Sequence, residues 1–154
     1  MLTARDIMTT DVLTFDPDVS VREAAEALAM ERLGGAPVMR HGRLVGMLSA
    51  SDLLDFMSAL PAEPAEVRDR TERGILDDHT VEEAMSRAPM RTVAPDVPVS
   101  TVAEVLNRDR LHRLPVVDGD RLLGIVSTTD VVRALAHRRV ERRVLVFPKR
   151  SRTD

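Results

Sequence analysis

The sequence predicts a mixed α/β chain of the α+β kind, built from two copies of one small unit, and three observations carry that expectation. The first is an internal repeat: PDVSVREAAEAL from Pro17 recurs as PDVPVSTVAEVL from Pro95, and APVMRHGRLVGMLSASD from Ala36 as LPVVDGDRLLGIVSTTD from Leu114. Under the single offset of 78, sixteen of the 38 positions from Pro17 to Leu54 are identical. A period this long, present twice, describes two copies of a supersecondary unit and not a many-repeat solenoid. The second is the order of signals within each copy, which reads helix, strand, helix, strand, strand, helix. The third is composition: 154 residues without Trp, Tyr or Cys and with three Phe require an aliphatic core of Val, Leu, Ile, Ala and Met.

Each copy opens with a helix start, Thr3-Ala4-Arg5-Asp6 and Thr80-Val81-Glu82-Glu83, where a threonine N-cap is followed by an acid at the third helical position. These openings match at an offset of 77, so one residue has been inserted before Pro95. Short extended stretches follow, Val12 to Phe15 and Met90 to Val93, stopped by Pro17 and Pro95. The long helix of the first copy starts at a second capping box, Ser20 with Glu23, and Val21, Ala24, Ala25 and Leu28 form its apolar stripe. In the second copy Val102, Ala103, Val105 and Leu106 repeat the stripe after Ser100. Gly34-Gly35 is expected to end the first of these helices, and His112-Arg113 stands at the same place in the second copy.

Two β-type runs come next, Pro37 to Met39 with Leu44 to Leu48, and Pro115 to Val117 with Leu122 to Val126. His41-Gly42 and Asp118-Gly119 supply the tight connections of two hairpins. Ser49-Ala50-Ser51-Asp52 and Ser127-Thr128-Thr129-Asp130 then lead into final helices carrying Leu53, Leu54, Met57 and Val131, Val132, Leu135. The units are accordingly bounded as 1–60 and 79–137, joined by 61–78 and followed by a basic tail, 138–154. In the connection, Pro61-Ala62-Glu63-Pro64 breaks the chain and Ala65 to Arg73 reads as a solvated polar helix with Glu66/Arg70 and Asp69/Arg73 pairs.

Charge and composition bound the function. From His137 onward there are seven basic and two acidic side chains, net +5, which leaves −8 for the body. Without cysteine there is no disulfide framework and no thiolate chemistry, which suits a reducing cytoplasm. No apolar stretch approaches the roughly 20 residues of a membrane span, and the start lacks a signal-peptide pattern, so a soluble, unprocessed, cytoplasmic chain without a membrane partner is expected.

The segments GMLSASD (Gly46 to Asp52) and GIVSTTD (Gly124 to Asp130) place hydroxyls and a carboxylate where a strand turns into a helix. Free N–H groups and the positive end of a helix attract phosphate, and an Asp carboxylate offers two acceptor oxygens to the vicinal diol of a ribose. The same residues are also what any helix N-cap wants. His112-Arg113 add a phosphate-reading pair in the second copy alone, since an Arg guanidinium matches phosphate oxygens. Gly34-Gly35 offer no side chains at the equivalent position, so two sites of this kind are unequal.

These units closely resemble cystathionine β-synthase (CBS) domains, and the tandem pair resembles a Bateman module. The resemblance spans Thr3 to Ser58 and Thr80 to about Ala136, and rests on the opening helices ending in Met8 and Met85, the Pro-Asp before each long helix, the Leu114-Pro115-Val116-Val117-Asp118 strand and the Gly-x-x-Ser-x-x-Asp endings. It implies two βαββα units about a pseudo-twofold axis, with clefts that take AMP, ADP, ATP or S-adenosylmethionine as a regulatory ligand and with no obligatory cofactor or metal. It further implies that Asp52 or Asp130 holds the ribose, that Ser49 and Ser51 or Ser127 and Thr129 contact ribose or phosphate, and that His112 and Arg113 reach phosphates. Adenine is then held by the opposite unit: Val19, Ala24 and Gly35 for the Asp130 cleft, Val97 and Val102 for the Asp52 cleft. Free-standing pairs of this kind associate as homodimers through Leu53, Leu54, Met57, Val131, Val132 and Leu135.

Three other functions compete. An enzyme finds no support in the four histidines, His41, His79, His112 and His137, since no two lie at metal-ligand spacing and no nucleophile stands beside a base. A nucleic-acid binder would use Arg138, Arg139, Arg142, Arg143, Lys149, Arg150 and Arg152, but a solvated tail whose Val144 to Phe147 run packs as a strand is the simpler reading. A purely structural dimerising module is compatible with everything above. The expectation is therefore a non-catalytic regulatory module, dimeric, that binds an adenine nucleotide and acts on an unidentified regulated protein.

Overall fold

The computed structural model describes residues 1–61, 76–87 and 90–137. The Ala65 to Arg73 helix and the basic tail from 138 fall outside the described residues. Among the described residues, where 76–78 are also helical, the bounded elements are α1 (Ala4–Ile7), α2 (Val21–Met30), β1 (Gly35–Arg40), β2 (Arg43–Ser49), α3 (Ala50–Ala59), α4 (Val81–Ala84), β3 (Ser86–Arg87), α5 (Val99–Arg108), β4 (Arg113–Asp118), β5 (Arg121–Ser127) and α6 (Thr128–Ala136). They form two small antiparallel sheets, ordered β1-β2-β3 and β4-β5, each backed by helices. This is the α+β architecture expected from the sequence.

The hairpins keep the repeat. β1 and β2 pair from Gly35 opposite Ser49 to Arg40 opposite Arg43, and β4 and β5 from Arg113 opposite Ser127 to Asp118 opposite Arg121, with a register shift at the same place in each. The turns differ. His41 and Gly42 both take positive φ, 50° and 77°, the pattern of a type I′ turn. In the second hairpin the turn is Gly119-Asp120, one residue beyond the expected Asp118-Gly119, and Gly119 alone takes positive φ, 60°. A glycine at the first turn position shifts the connection toward the type II′ pattern.

Three further expectations need correction. The first long helix ends on Met30 and Glu31, and the left-handed residue that turns the chain is Arg32 (φ 52°), with Arg110 (φ 52°) as its counterpart; Gly34 lies in the approach to β1 and Gly35 inside it. Leu33 N–H closes this end onto the Leu28 carbonyl at 2.9 Å, so helix termination is complete before the glycines are reached. The second long helix starts at Val99 behind Pro98, ahead of Ser100, because Val99 takes the buried place of Val21. The stretches before Pro17 and Pro95 are single-residue parallel bridges, Phe15 to Val38 and Val93 to Val116, and not strands. A proline two residues on cannot donate to a ladder, which halts the pairing.

Ser20 caps α2 by accepting from Glu23 N–H at 3.1 Å. The Asp6 carboxylate accepts from Thr3 N–H at 2.8 Å and from its hydroxyl at 2.9 Å, and Glu83 from Thr80 N–H at 2.7 Å. Helices of four residues are far below the roughly 12–15 at which an isolated helix becomes even marginal. α1 and α4 therefore owe their existence to docking.

Each opening helix packs on the other copy's core. Ala4 N–H donates to the Val97 carbonyl (2.8 Å), Arg5 N–H to Pro95 (2.9 Å), and Val99 N–H returns to Leu2 (3.0 Å). In mirror fashion Val81 N–H donates to Val19 (2.8 Å), Glu82 N–H to Pro17 (3.0 Å), and Val21 N–H to His79 (2.9 Å). One core accordingly gathers Ala4 with Val99, Val102, Leu106, Leu114, Val116 and Val126. The other gathers Val81 with Phe15, Ala24, Leu28, Ala36, Val38 and Leu48. The exchange extends past the helices: β3 adds to β2 through Ser86 opposite Met47, and Thr9 pairs with Ile125.

The exchange explains two sequence motifs together. A Cβ at Gly46 would lie 2.6 Å from Met85 Sδ and 2.8 Å from the Ser86 carbonyl oxygen; at Gly124, 2.6 Å from the Thr9 carbonyl oxygen and 2.9 Å from Met8 Sδ. Each motif glycine thus admits the backbone and the methionine of the exchanged segment.

Candidate functional site

The N-termini of α3 and α6 are built alike. Ser49 caps α3, accepting from Asp52 N–H at 3.1 Å, while Asp52 Oδ2 accepts from Ser49 N–H at 2.8 Å. Ser127 and Asp130 form the same box on α6, at 3.2 Å and 2.8 Å. The capping role weighed against ribose binding is therefore filled in both copies, through Oδ2. The second carboxylate oxygen distinguishes them. Asp52 Oδ1 accepts from Ser86 Oγ at 2.9 Å, whereas Asp130 Oδ1 faces Arg133 Nη1 at 3.5 Å, an ion pair one turn along the same helix. Ser86 comes from the exchanged segment, and no signal in the sequence links it to Asp52; only the docking of α4 on the first core does. Ser51 and Thr129 are exposed on the first turns of α3 and α6.

His112 and Arg113, adjacent in sequence, part company. His112 lines a groove of about 450 Å³ between α5 and α6, with Leu106, Asn107, Arg110 and Val131 among its walls. Arg113 turns to the first copy: a Cβ at Gly34 would stand 2.5 Å from its Nη2, and one at Gly35 2.5 Å from its Nη1. That same Gly35 position lies 2.7 Å from the Leu48 carbonyl oxygen and 3.0 Å from Ser49 Cα, so the guanidinium sits between the copies, beside the end of β2. Arg113 is half-buried, and burial pushes its pKa down. Among the described residues no carboxylate pairs with it.

The expected adenine walls divide. Ala24 and Val102 are both 0% exposed, one in each core, so neither offers surface to a cleft. They lie on the buried stripe of α2 and α5, which helical spacing turns inward. Val19 and Val97 are half-buried against the cores, with their carbonyls taken by Val81 and Ala4 N–H. Gly35 is buried against Arg113.

The copies also differ beside their carboxylates. A recess of about 150 Å³ next to Asp130 is lined by Asp6, Ile7, Asp130, Arg133, Ala134 and His137. In the first copy Phe56 stands where Ala134 does, its ring 5.2 Å from the His79 ring in an edge-to-face contact. Among the described residues no three His, Asp or Glu side chains gather as a metal site. Among them also, no helix is long and apolar enough to cross a membrane.

The final helices carry an unpaired apolar face. Leu54 is 69% exposed and Val132 62%, with Met57 and Leu135 half-exposed. Leu53 and Val131, expected on that face, belong instead to the cores.

The fold has counterparts among known proteins. The CBS-domain pair of protein MJ0100, solved with 5'-methylthioadenosine and S-adenosyl-L-methionine, superposes with a TM-score of 0.72 at 26% identity, over 90% of this chain and 98% of that one. CBSX2, solved with AMP, gives 0.73 at 28% identity, over 90% and 99%. The CBS domain-containing protein YhcV of Bacillus subtilis is 30% identical over 131 residues, 85% of this chain and 84% of its own length. The A-adding tRNA nucleotidyltransferase of Aquifex aeolicus is also 30% identical, over 135 residues and 87% of this chain, but the match spans only 14% of that enzyme's length. The CBS-domain family model matches twice, over residues 4–59 and 81–137. The chain belongs to the CBS-domain family, as a tandem pair.

Proposed function

We propose that this pair is a non-catalytic regulatory module that binds an adenine nucleotide, or a related adenosine compound such as S-adenosylmethionine, between its two copies. The observation that carries the reading is Arg113: a half-buried guanidinium held between the copies with no carboxylate partner among the described residues. A cation so placed loses hydration without regaining a counter-charge, and a ligand phosphate supplies it. Support comes from two solved relatives of the same fold, one holding AMP and the other 5'-methylthioadenosine with S-adenosyl-L-methionine. In this reading the free lone pairs of Asp52 and Asp130 take the ribose diol, while Ser49, Ser51, Ser127 and Thr129 serve ribose or phosphate. The clefts belong to the bodies 1–60 and 79–137, and the protein works in the cytoplasm.

The regulated state is a homodimer in the same proposal, because exposed Leu54, Met57, Val132 and Leu135 form the apolar face that a second copy covers. Ligand binding shifts the module only by its differential affinity for two states.

A thermal-shift panel of AMP, ADP, ATP, S-adenosylmethionine and adenosine tests the reading. At a hundredfold excess over its Kd a ligand adds about 2.7 kcal/mol of stability, which is several degrees for a domain of this size. If no adenine compound moves the midpoint, the nucleotide reading is lost and the structural dimerising module replaces it.

A further inference from the structure

Gly34 and Gly35 occupy the positions equivalent to His112 and Arg113 under the 78-residue offset. Across the axis these equivalent positions meet: the missing Cβ atoms of both glycines fall 2.5 Å from Arg113 guanidinium nitrogens, closer than real Cβ atoms approach anything. A side chain at either position and the guanidinium in its present place are mutually exclusive. A second arginine at position 35 would also put two like charges into one half-buried space, a costly arrangement without a shared anion.

We propose that Gly34 and Gly35 are a seat for Arg113, which fixes the axial cation on the side of the first copy, beside Ser49, and makes the module read one phosphate-bearing ligand per chain. The inference rests on the nucleotide reading above and deepens it, since it names which side discriminates phosphorylated from unphosphorylated adenosine. Charge on the other side agrees. The recess at Asp130 sets two carboxylates, Asp6 and Asp130, against His137 and a guanidinium, Arg133, that is already paired with Asp130. That side suits a ligand without phosphate. Gly34 and Gly35 are positioning residues in this scheme, acting through Arg113.

Gly34→Ala is the discriminating variant. Its backbone does not need glycine, and the new Cβ meets only the far end of a flexible side chain. Gly35→Ala is unsuitable because its Cβ would also stand 2.7 Å from the Leu48 carbonyl oxygen. In the full-length chain, calorimetric titration compares ATP with adenosine. Wild type is expected to prefer ATP by roughly ten- to a hundredfold, the usual scale of a hydrogen-bonded charge pair, with one phosphate-dependent site per chain. Gly34→Ala and Arg113→Gln should lose that preference alike, and Arg133→Gln should keep it. A Gly34→Ala protein that still prefers ATP as wild type does, or loss of the preference in Arg133→Gln alone, would overturn the seat. Arginine side-chain NMR separates this outcome from failure of the nucleotide reading, because it needs no ligand. The Arg113 Nε–H should exchange slowly in wild type and rapidly in Gly34→Ala. If no adenosine compound binds, the nucleotide reading fails by itself, and an unchanged Arg113 signal in Gly34→Ala then removes the seat as well.

Discussion

Replacing Gly124 with alanine should loosen the exchanged N-terminal segment from the second core. The added methyl would lie 2.6 Å from the Thr9 carbonyl oxygen and 2.9 Å from Met8 Sδ, whereas ordinary contact begins near 3.4 Å. Met8 can swing away, but Thr9 is held at both ends by its pairing with Ile125, whose two N–H···O bonds measure 2.8 and 2.9 Å. Either the methyl is overpacked, at about 1–3 kcal/mol, or the bridge opens and forfeits two hydrogen bonds at about 1 kcal/mol each. Both routes fall within about 1–3 kcal/mol, and at about 2–4 °C per kcal/mol for a chain of this length the midpoint should fall by roughly 2–12 °C. Thermal unfolding of the purified variant measures it, and hydrogen exchange at Thr9 and Ile125 shows whether the bridge has opened. Gly119→Asn is the control: Gly119 has positive φ, 60°, but nothing within 4 Å of its Cβ position, and Asn tolerates that conformation. A Gly124→Ala protein that melts with wild type and keeps the Thr9 and Ile125 amides protected would refute the close-approach account of the motif glycine.

Asp52→Ala and Asp130→Ala should each lower unliganded stability by about 1–2 kcal/mol, because each removes half of a capping box; urea midpoints without ligand check this, and an unchanged midpoint would contradict the capping role. Lysine at Leu54 and Val132 together should leave the fold intact, since both side chains are exposed in the single chain, and should abolish in sedimentation the dimerisation proposed above; a destabilised monomer would instead place these residues in the core. Hydrogen bonding from the Thr80 backbone, assisted by His79, holds the Glu83 carboxyl below the ordinary value of 4.5. The unfolded chain therefore binds the proton more readily, so the contribution is complete above pH 4.5 and disappears as pH falls through the lowered value. Glu83→Gln should flatten that part of an acid-denaturation curve, and a curve unchanged in shape would show that Glu83 is not coupled to folding.

Much of this was legible because the signals were local. Capping serines and acids sit three residues apart, hairpin turns carry glycine, and apolar stripes repeat at helical spacing, so the residues that decide each element lie within one turn of one another. Sequence and structure part where a local rule meets a partner from elsewhere. Gly34-Gly35 looked like a helix stop, yet Arg32 and Leu33 complete that task, and the glycines answer to Arg113, 78 and 79 positions away. The family resemblance implies a ligand contact for Ala24 and Val102, while their own helical stripe turns both side chains inward. Ser86 carries no local signal, because its carboxylate partner, Asp52, is brought to it only by the docking of α4.

The exchange itself was hidden by the repeat that revealed the copies. When two openings share one pattern, each fits either core by hydrophobic spacing alone, and periodicity is blind to the choice. Charge is not. Arg40, at the end of β1, reaches Asp18 at 3.2 Å and Glu82 of the exchanged helix at 3.4 Å. The residue at the Glu82 position in α1 is Arg5, and the residue at the Arg40 position in β4 is Asp118. Docked on its own copy, α1 would bring Arg5 toward Arg40 and α4 would bring Glu82 toward Asp118, like charge to like in both places. Exposed pairs of this kind contribute only about 0–1 kcal/mol each, too little to drive docking, which burial of Ala4 and Val81 supplies. They suffice to bias a choice between two otherwise equivalent cores, because an arrangement that gains a pair competes with one that suffers a repulsion at the same spot. The positions at which the copies disagree are thus as informative as those at which they agree: identity at Ser49/Ser127 and Asp52/Asp130 builds two similar helix starts, while the inversions at 40/118 and 82/5 and the contrast of Gly35 with Arg113 determine how the halves join and where the axial cation lies.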